Sequence, residues 1–375
     1  MRWRADPGPA WVRLRKSFSR PDGWLLTLCM IATLSVIWSL DWRTSLYISL
    51  HLWVVFGLYL SLKSTPQSWR WFALGSGAAL LVQVAIGAWQ FIAQTTAFSM
   101  PLSLDWPGDL IPSMSGASVV QLTDGTRWLR AYGTFPHPNL LGGWTVVLLA
   151  LLLTAIFTSP RGRSLMILLF NAGLALLALT FSRAAWLGLG ASASVLLLHS
   201  RRLDRKKLLV LFFSAMLCLA LLFLPLRSLA AARLAEPQVQ TERVSSYTRL
   251  WLVQRTWEII QQRPVAGVGI GSYSLALSQH VAKFYDIEPV HNLPLLVWSE
   301  LGIFGLLALA GLALVILIGA INARRPLAVG LSAALVGLLA ISLFDHYLWT
   351  LAPGRVLFGA LLGLWAGQVE NEPGR

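Results

Sequence analysis

Residues Leu293–Ile321 read LPLLVWSELGIFGLLALAGLALVILIGAI, a run in which Glu300 is the one charged residue. A helix rises about 1.5 Å per residue, so about 20 apolar residues cross the hydrocarbon core of a bilayer. This stretch is therefore predicted to span a membrane as a helix. It sets the fold class for the rest of the chain.

The whole composition indicates the same class. The 375 residues are 56% hydrophobic and only 12% charged, whereas a soluble protein carries roughly 25% charged residues. The apolar segments long enough to span are Trp24–Leu40, Ser45–Leu62, Trp71–Ala93, Leu140–Phe157, Ser164–Thr180, Ala184–His199, Leu208–Pro225, Leu293–Ile321, Leu327–Phe344 and Val356–Val369. We predict an all-α, polytopic membrane helix bundle with about ten transmembrane helices, formed as a single membrane domain over residues 1–375.

The basic residues predict the orientation. Arg161 with Arg163, the basic run within 200–207, and Arg324 with Arg325 all fall in short connections on one side of the predicted bundle. Short cytoplasmic loops are typically rich in lysine and arginine. Both termini are then cytoplasmic and the protein is multi-pass. The net charge of +14 follows from this topology, so no nucleic-acid partner is needed to explain it.

Two long segments, 94–139 and 226–292, lie on the outer side in this topology. Long loops in compact domains usually carry function. We therefore expect the chemistry on the outer face. The second loop is predicted to carry an amphipathic helix that lies on the membrane surface, and the apolar face of this helix comprises Leu250, Val253, Trp257 and Ile260.

Arginines are concentrated in the second outer loop. Arg249 falls in the first turn of the amphipathic helix, and the others are Arg227, Arg233, Arg243, Arg255 and Arg263. A guanidinium fork grips phosphate or pyrophosphate bidentately. Pairing with the glutamates of the same loop is the alternative, and charge counting does not separate the two. Arg183 lies between two apolar runs at membrane depth, where an ionisable group is usually functional; snorkelling to the headgroups is the alternative.

His291 precedes a helix that Asn292 is expected to cap. The partial positive charge of a helix N-terminus disfavours imidazolium, so a neutral imidazole fit for a general base is expected there. A purely structural histidine is the alternative. Glu300, nearly alone among ionisable residues inside the spans, is expected to pair with a neighbour, and Gly302 is expected to allow close contact between helices.

Three more polar residues flank the predicted spans on the outer side. Asn139 follows Pro138 and is expected to cap the next span, with His137 exposed beside it and Arg130 nearby. An ordinary cap is the alternative to an anion site at that helix end. Asp345 ends the ninth span and could orient a histidine or an arginine.

Together these segments resemble the O-antigen ligase family of bacterial envelope glycosyltransferases over about residues 115–320. The residues that carry the resemblance are Arg130 with Gly133-Thr-Phe and Pro138-Asn139, Ser182-Arg183, Arg249-Leu-Trp251 with Pro264 and Gly267-Val-Gly, and His291-Asn292 with Gly302-x-x-Gly305. The first three spans match only as hydrophobic segments. Twelve spans are common in the family, which makes ten a low count.

The resemblance implies a GT-C-like, metal-independent transferase of the bacterial inner membrane that needs no cofactor. Its donor would be an undecaprenyl-pyrophosphate-linked glycan, and its acceptor a lipid or glycan such as lipid A-core. By position, Arg183 and Arg249 look like the arginines that grip the pyrophosphate, with Arg227 or Arg243 as a further one, and His291 looks like the base. The supporting residues would be Asp345, Arg130, Asn139 and Asn292.

Other functions share part of this pattern. A polysaccharide polymerase or a protein O-oligosaccharyltransferase of the same superfamily would bind its donor alike and differ in the acceptor. A transporter would carry charged residues along a path through several spans. The ionisable residues here gather at the outer ends of the predicted spans, which favours the transferase.

Overall fold

The computed structural model describes residues 21–65, 67–97, 108–158, 162–199, 205–234, 240–279 and 287–370. The basic N-terminal stretch and parts of both predicted outer loops lie outside them. The helices are α1 Pro21–Ser35, α2 Trp42–Ser64, α3 Ser68–Ala93, α4 Pro138–Thr158, α5 Arg163–Leu179, α6 Arg183–Leu198, α7 Arg205–Phe223, α8 Arg227–Leu234, α9 Gln240–Gln262, α10 Tyr273–Ser278, α11 Leu293–Asn322, α12 Pro326–Ser342, α13 Tyr347–Thr350 and α14 Ala352–Glu370.

The predicted all-α polytopic helix bundle is confirmed. Each of the ten predicted apolar segments overlaps one helix, the first of them α1 and the 3-10 turn Val36–Trp38 that follows it. Within the described ranges, six helices are long and apolar enough to cross a bilayer, and three shorter apolar helices, α5, α6 and α12, accompany them.

Helix α4 lies at the centre of the bundle. About 61% of its most apolar window is buried by other helices, against 6% for α7 at the periphery. Beside α4, helices α6 and α12 approach each other closely: a Cβ added at Gly188 would come within 2.9 Å of the Gly337 carbonyl oxygen. Small residues allow such approach where no hydrophobic force drives helices together. This packing fixes the helix ends that form the site.

A short β-hairpin interrupts the helical architecture in the first outer loop. Strand β1, Val119–Gln121, pairs antiparallel with β2, Arg127–Leu129, with Val119 opposite Leu129. The hairpin ends directly before Arg130, so it delivers that arginine to the helix ends.

Helix α11 is broken at Gly302, whose φ of +68° and ψ of −169° are not helical. The break frees carbonyl groups, and the segment that follows α9 binds them: Val268 N–H donates to Ser299 O and Gly269 N–H donates to Glu300 O, both at 2.9 Å. A buried carbonyl needs such a partner. The sequence predicted that Gly302 allows two helices to approach each other. Instead, it allows the broken α11 to contact the coil segment that follows α9.

Glu300 lies beside the break, buried and bound to the indole N–H of Trp349 at 2.7 Å, as its expected pairing requires. A second buried charge lies close to the spans, near the start of α14. Arg355 in α14 is also buried, and it donates from Nε to His51 Nδ1 at 3.1 Å. The predicted last span began one residue too late to include this arginine.

Helix α9 exists where the amphipathic helix was predicted, and most of its predicted apolar face is not covered by other helices. Leu250, Val253 and Trp257 are exposed. The buried residues are Leu252, Thr256, Ile259 and Ile260. Thr256 is satisfied inside this second, packed face, since its hydroxyl bonds the Leu252 carbonyl and the Tyr273 hydroxyl.

Replacing Gly302 by alanine is expected to destabilise the protein. The new Cβ would lie 1.8 Å from the Val265 carbonyl oxygen, and alanine disfavours the positive φ. Strain of this kind costs about 1–3 kcal/mol before the clash is counted, so the apparent melting temperature in detergent should fall clearly.

Gly57→Ala in α2 is the matched control. A Cβ there meets no atom within 4 Å, and its melting temperature should equal that of the wild type. If Gly302→Ala melts like Gly57→Ala, the helix break does not depend on this glycine.

Candidate functional site

Asp345 forms the centre of a polar cluster at the end of the bundle where α4, α6 and α11 begin. Its side chain is buried and accepts hydrogen bonds from Asn139 Nδ2 at 2.6 Å and from the His346 backbone N–H at 2.8 Å. Burial works to raise the pKa of Asp345, but neighbouring histidines and this N–H bond outweigh it and lower the pKa below its usual value. The cluster therefore contains a fixed carboxylate.

Arg130 supports the cluster from the opposite side of Asn139. Its buried guanidinium donates from Nη2 to Asn139 Oδ1 at 2.5 Å and from Nε to the Thr180 carbonyl oxygen at 2.6 Å. Nη1 binds the Ser118 hydroxyl at 2.6 Å. The chain of contacts from Arg130 through Asn139 to Asp345 joins the first outer loop, α4 and the end of α12.

Asn139 does not cap α4, contrary to the expectation. It is the second residue of the helix, and its backbone N–H is bound by His137 Nδ1 at 3.1 Å. The ring of His137 takes the capping role, which releases the Asn139 side chain to bridge Arg130 and Asp345. Burial first and Arg130 second lower the pKa of His137, so the ring is a neutral acceptor.

His291 directly precedes α11, which Asn292 caps as expected by accepting the Leu295 N–H at 3.0 Å. Nδ1 of His291 is buried without a hydrogen-bond partner in the described part of the chain. Burial lowers the pKa of His291 to about 4, and the neighbouring His346 adds to the shift. The imidazole is therefore neutral at physiological pH and holds a lone pair ready to accept a proton.

His346 is a member of the cluster that the sequence did not single out. Its ring lies edge-on to that of His291, with centroids 5.0 Å apart and planes at 80°. The available signal was only its adjacency to Asp345 in the chain.

Three arginines converge on a cavity of about 260 Å³ beside this cluster. Arg183, Arg233 and Arg249 line it together with Asn139, and its remaining walls are Ser182, Ala184, Leu187 and Phe344. The cavity thus combines cationic donors with an apolar flank. Such a lining suits an anion attached to an apolar chain.

The turn before α6 aims two of these arginines. Ser182 caps α6 by accepting the Ala185 N–H at 3.4 Å, so Arg183 is the first helical residue. Phe181 has a positive φ of 47°, and its carbonyl oxygen accepts from Arg233 Nε at 3.1 Å. The N–H groups at this helix end add partial positive charge to the cavity.

The remaining predicted arginines are placed differently. Arg227 begins α8 and is exposed, and it does not line this cavity. Arg243 belongs to α9, but its side chain lies outside the described residues. Arg233 takes a place in the cavity instead. Nothing in the sequence distinguished it from the other arginines of the loop.

Two residues join the cavity to the acid–base cluster. Asn139 lines the cavity and binds Asp345, and Arg249 lines the cavity and acts electrostatically on both His291 and His346. An anion in the cavity would therefore share Asn139 and Arg249 with the cluster that contains the neutral base. That combination can stabilise a departing phosphate while a proton is removed from an attacking group.

The protonation state of His291 can be measured directly. With histidines labelled on the ring, the His291 NMR signal, assigned from a His291→Asn variant, should titrate well below pH 6.5 because burial disfavours the charged ring. A midpoint at or above 6.5 would contradict the neutral base.

One family model matches part of the chain. The family model described as O-antigen ligase matches residues 168–310, a stretch that runs from α5 to α11 and includes Arg183, Arg249 and His291. No curated protein matches the chain. The matched family agrees with the apolar helices, and it implies a lipid-linked glycan donor and an acceptor in the membrane. Through residues 168–310 the chain is similar to the O-antigen ligase family, whose broad class is the membrane glycosyltransferase of the ligase and polymerase type.

Proposed function

We propose that this protein transfers a glycan from undecaprenyl pyrophosphate to an acceptor hydroxyl, in the manner of an O-antigen ligase, on the outer face of the bacterial inner membrane. The observation that carries the proposal is the arginine cavity beside His291, joined to it through Asn139 and Arg249. The matched family supplies the class of donor and acceptor.

The donor pyrophosphate fits the cavity by charge and by shape. Arg183, Arg233 and Arg249 offer guanidinium donors from three separate helices, and the N-terminus of α6 adds backbone N–H groups. Leu187 and Phe344 provide an apolar exit along which the polyprenyl chain would enter the bilayer. Negative charge grows on the pyrophosphate as it leaves, so donors fixed in advance lower the barrier most at that moment.

His291 would act as the general base. The acceptor hydroxyl oxygen attacks the anomeric carbon of the donor, forming the new glycosidic bond while the bond from that carbon to the phosphate oxygen breaks. The electron pair of the broken bond goes to the pyrophosphate, and the hydroxyl proton goes to the neutral His291 ring. Asp345 then stabilises the imidazolium, because its charge lies within the same cluster.

A polysaccharide polymerase and a protein O-oligosaccharyltransferase would bind the donor in the same way as the ligase. The three enzymes differ in the acceptor: lipid A-core for the ligase, a second lipid-linked glycan for the polymerase, and a protein hydroxyl for the O-oligosaccharyltransferase. Metal independence stays a prediction that rests on the family resemblance. A reconstituted assay can address both points when all three acceptors are offered with and without a divalent-metal chelator.

Reconstitution with a synthetic undecaprenyl-pyrophosphate glycan tests the catalytic assignment. His291→Ala should reduce turnover roughly 10²–10⁴-fold by removing the base. Arg249→Ala and Arg233→Ala should each reduce turnover roughly 10²-fold, because each removes a donor to the developing charge. The readout is glycan transferred and undecaprenyl pyrophosphate released.

Arg255→Ala is the matched control on the same helix as Arg249. Arg255 pairs with Glu258 at 2.6 Å and does not line the cavity, so its variant should keep wild-type turnover. Full activity of Arg249→Ala, or equal losses in Arg249→Ala and Arg255→Ala, would refute the donor assignment.

A further inference from the structure

His346 occupies a defined place next to the proposed base. It precedes the single-turn helix α13, and its Nδ1 lies 2.8 Å from the Thr350 hydroxyl. That hydroxyl donates its own proton to the His346 carbonyl oxygen at 3.3 Å, so its lone pair is left to accept from Nδ1. The network therefore offers an acceptor for a proton on Nδ1, which the protonated ring carries in addition to the one on Nε2.

Helix α13 is held at both ends, which limits the freedom of the His346 ring. Asp345 binds the His346 backbone N–H, and Arg355 Nη1 donates to the carbonyl oxygens of Trp349 at 2.6 Å and Thr350 at 3.0 Å. The buried charge of Arg355 in the last span is thus used to fix the turn that presents His346.

The two imidazoles of His291 and His346 share one polar environment. Asp345, His137 and Arg249 act on the pair electrostatically, and Glu288 acts on His291, while Arg130 acts on His137 within the same cluster. Two imidazolium rings in contact repel each other. The pair therefore binds its first proton on one ring and resists the second.

The geometry indicates which ring takes that first proton. In a protonated His346, Nδ1 has an acceptor in the Thr350 hydroxyl, and the charge lies beside Asp345 in the chain. Protonating His291 places the charge at the N-terminus of the long helix α11, which opposes it, and adds a proton to a ring whose Nδ1 is buried without a partner. His346 is the better site.

We propose that His346 is a positioning residue for His291: as the pH falls, His346 takes the first proton that the histidine pair binds, so that His291 stays the neutral acceptor down to a lower pH. The role of His346 in catalysis rests on the proposed function, since it presumes that His291 is the base. The order in which the two rings bind protons is independent of that function.

Four variants test the division of protons through the NMR titration of His291 in the full-length protein. His346→Asn should raise the His291 midpoint by about one pH unit or more toward the ordinary value of about 6.5, because the competing charge is gone. Thr350→Val should raise it by less, since the protonated His346 ring loses the acceptor of its Nδ1 proton. Thr350→Ser restores the hydroxyl and should titrate like the wild type. His199→Asn, at the far end of α6, should also leave the midpoint unchanged.

The same variants have a kinetic readout. In His346→Asn the acidic limb of the pH profile for kcat/KM should move to higher pH with the His291 midpoint, while the KM for the donor stays within twofold. An unchanged His291 midpoint in His346→Asn would overturn the proposal, as would equal midpoints for Thr350→Val and Thr350→Ser. The second comparison decides the matter if His346→Asn does not fold. A shifted midpoint in a protein that transfers no glycan would uphold the histidine pair and refute the proposed function instead.

Discussion

The hydrogen bond between Asn139 and Asp345 is the interaction on which the site depends. It connects residues 206 positions apart in the chain at 2.6 Å, inside a buried environment where an unpaired carboxylate would be strongly unfavourable. The side chain of Asn139 is available for this bond because His137 caps α4 in its place. Arg130 donates to the other end of the same side chain, at Asn139 Oδ1. Through these contacts, the first outer loop positions the carboxylate that faces both histidines.

The packing of the bundle fixes the positions of these helix ends. Glycine contacts between α6 and α12 and the break at Gly302 in α11 let backbones approach where side chains would keep them apart. The break also brings the segment after α9 against Glu300, so the helix that carries Arg249 is tied to the helix that begins behind His291. Donor cavity and base are thereby positioned by one packed unit.

The sequence predicted the parts of this structure that depend on local pattern. Apolar length was enough to locate ten helices, and the cap at Asn292 follows from chain position alone. Features that depend on distant partners were not predictable in this way. Arg233 differs from the other loop arginines only through its hydrogen bond to the Phe181 carbonyl oxygen, and the packed face of α9 includes Thr256 only because the Tyr273 hydroxyl pairs with it. His346 and Arg355 gain their roles only when α13 is folded between them.

The central claim is that one anion cavity and one neutral histidine form a single site. A structure of the protein with a non-hydrolysable undecaprenyl-pyrophosphate glycan analogue in lipid nanodiscs tests it most directly. The account predicts density for the two phosphates among Arg183, Arg233 and Arg249, with the anomeric carbon of the glycan directed toward His291. Phosphate density at another surface, or a glycan directed away from His291, would contradict it.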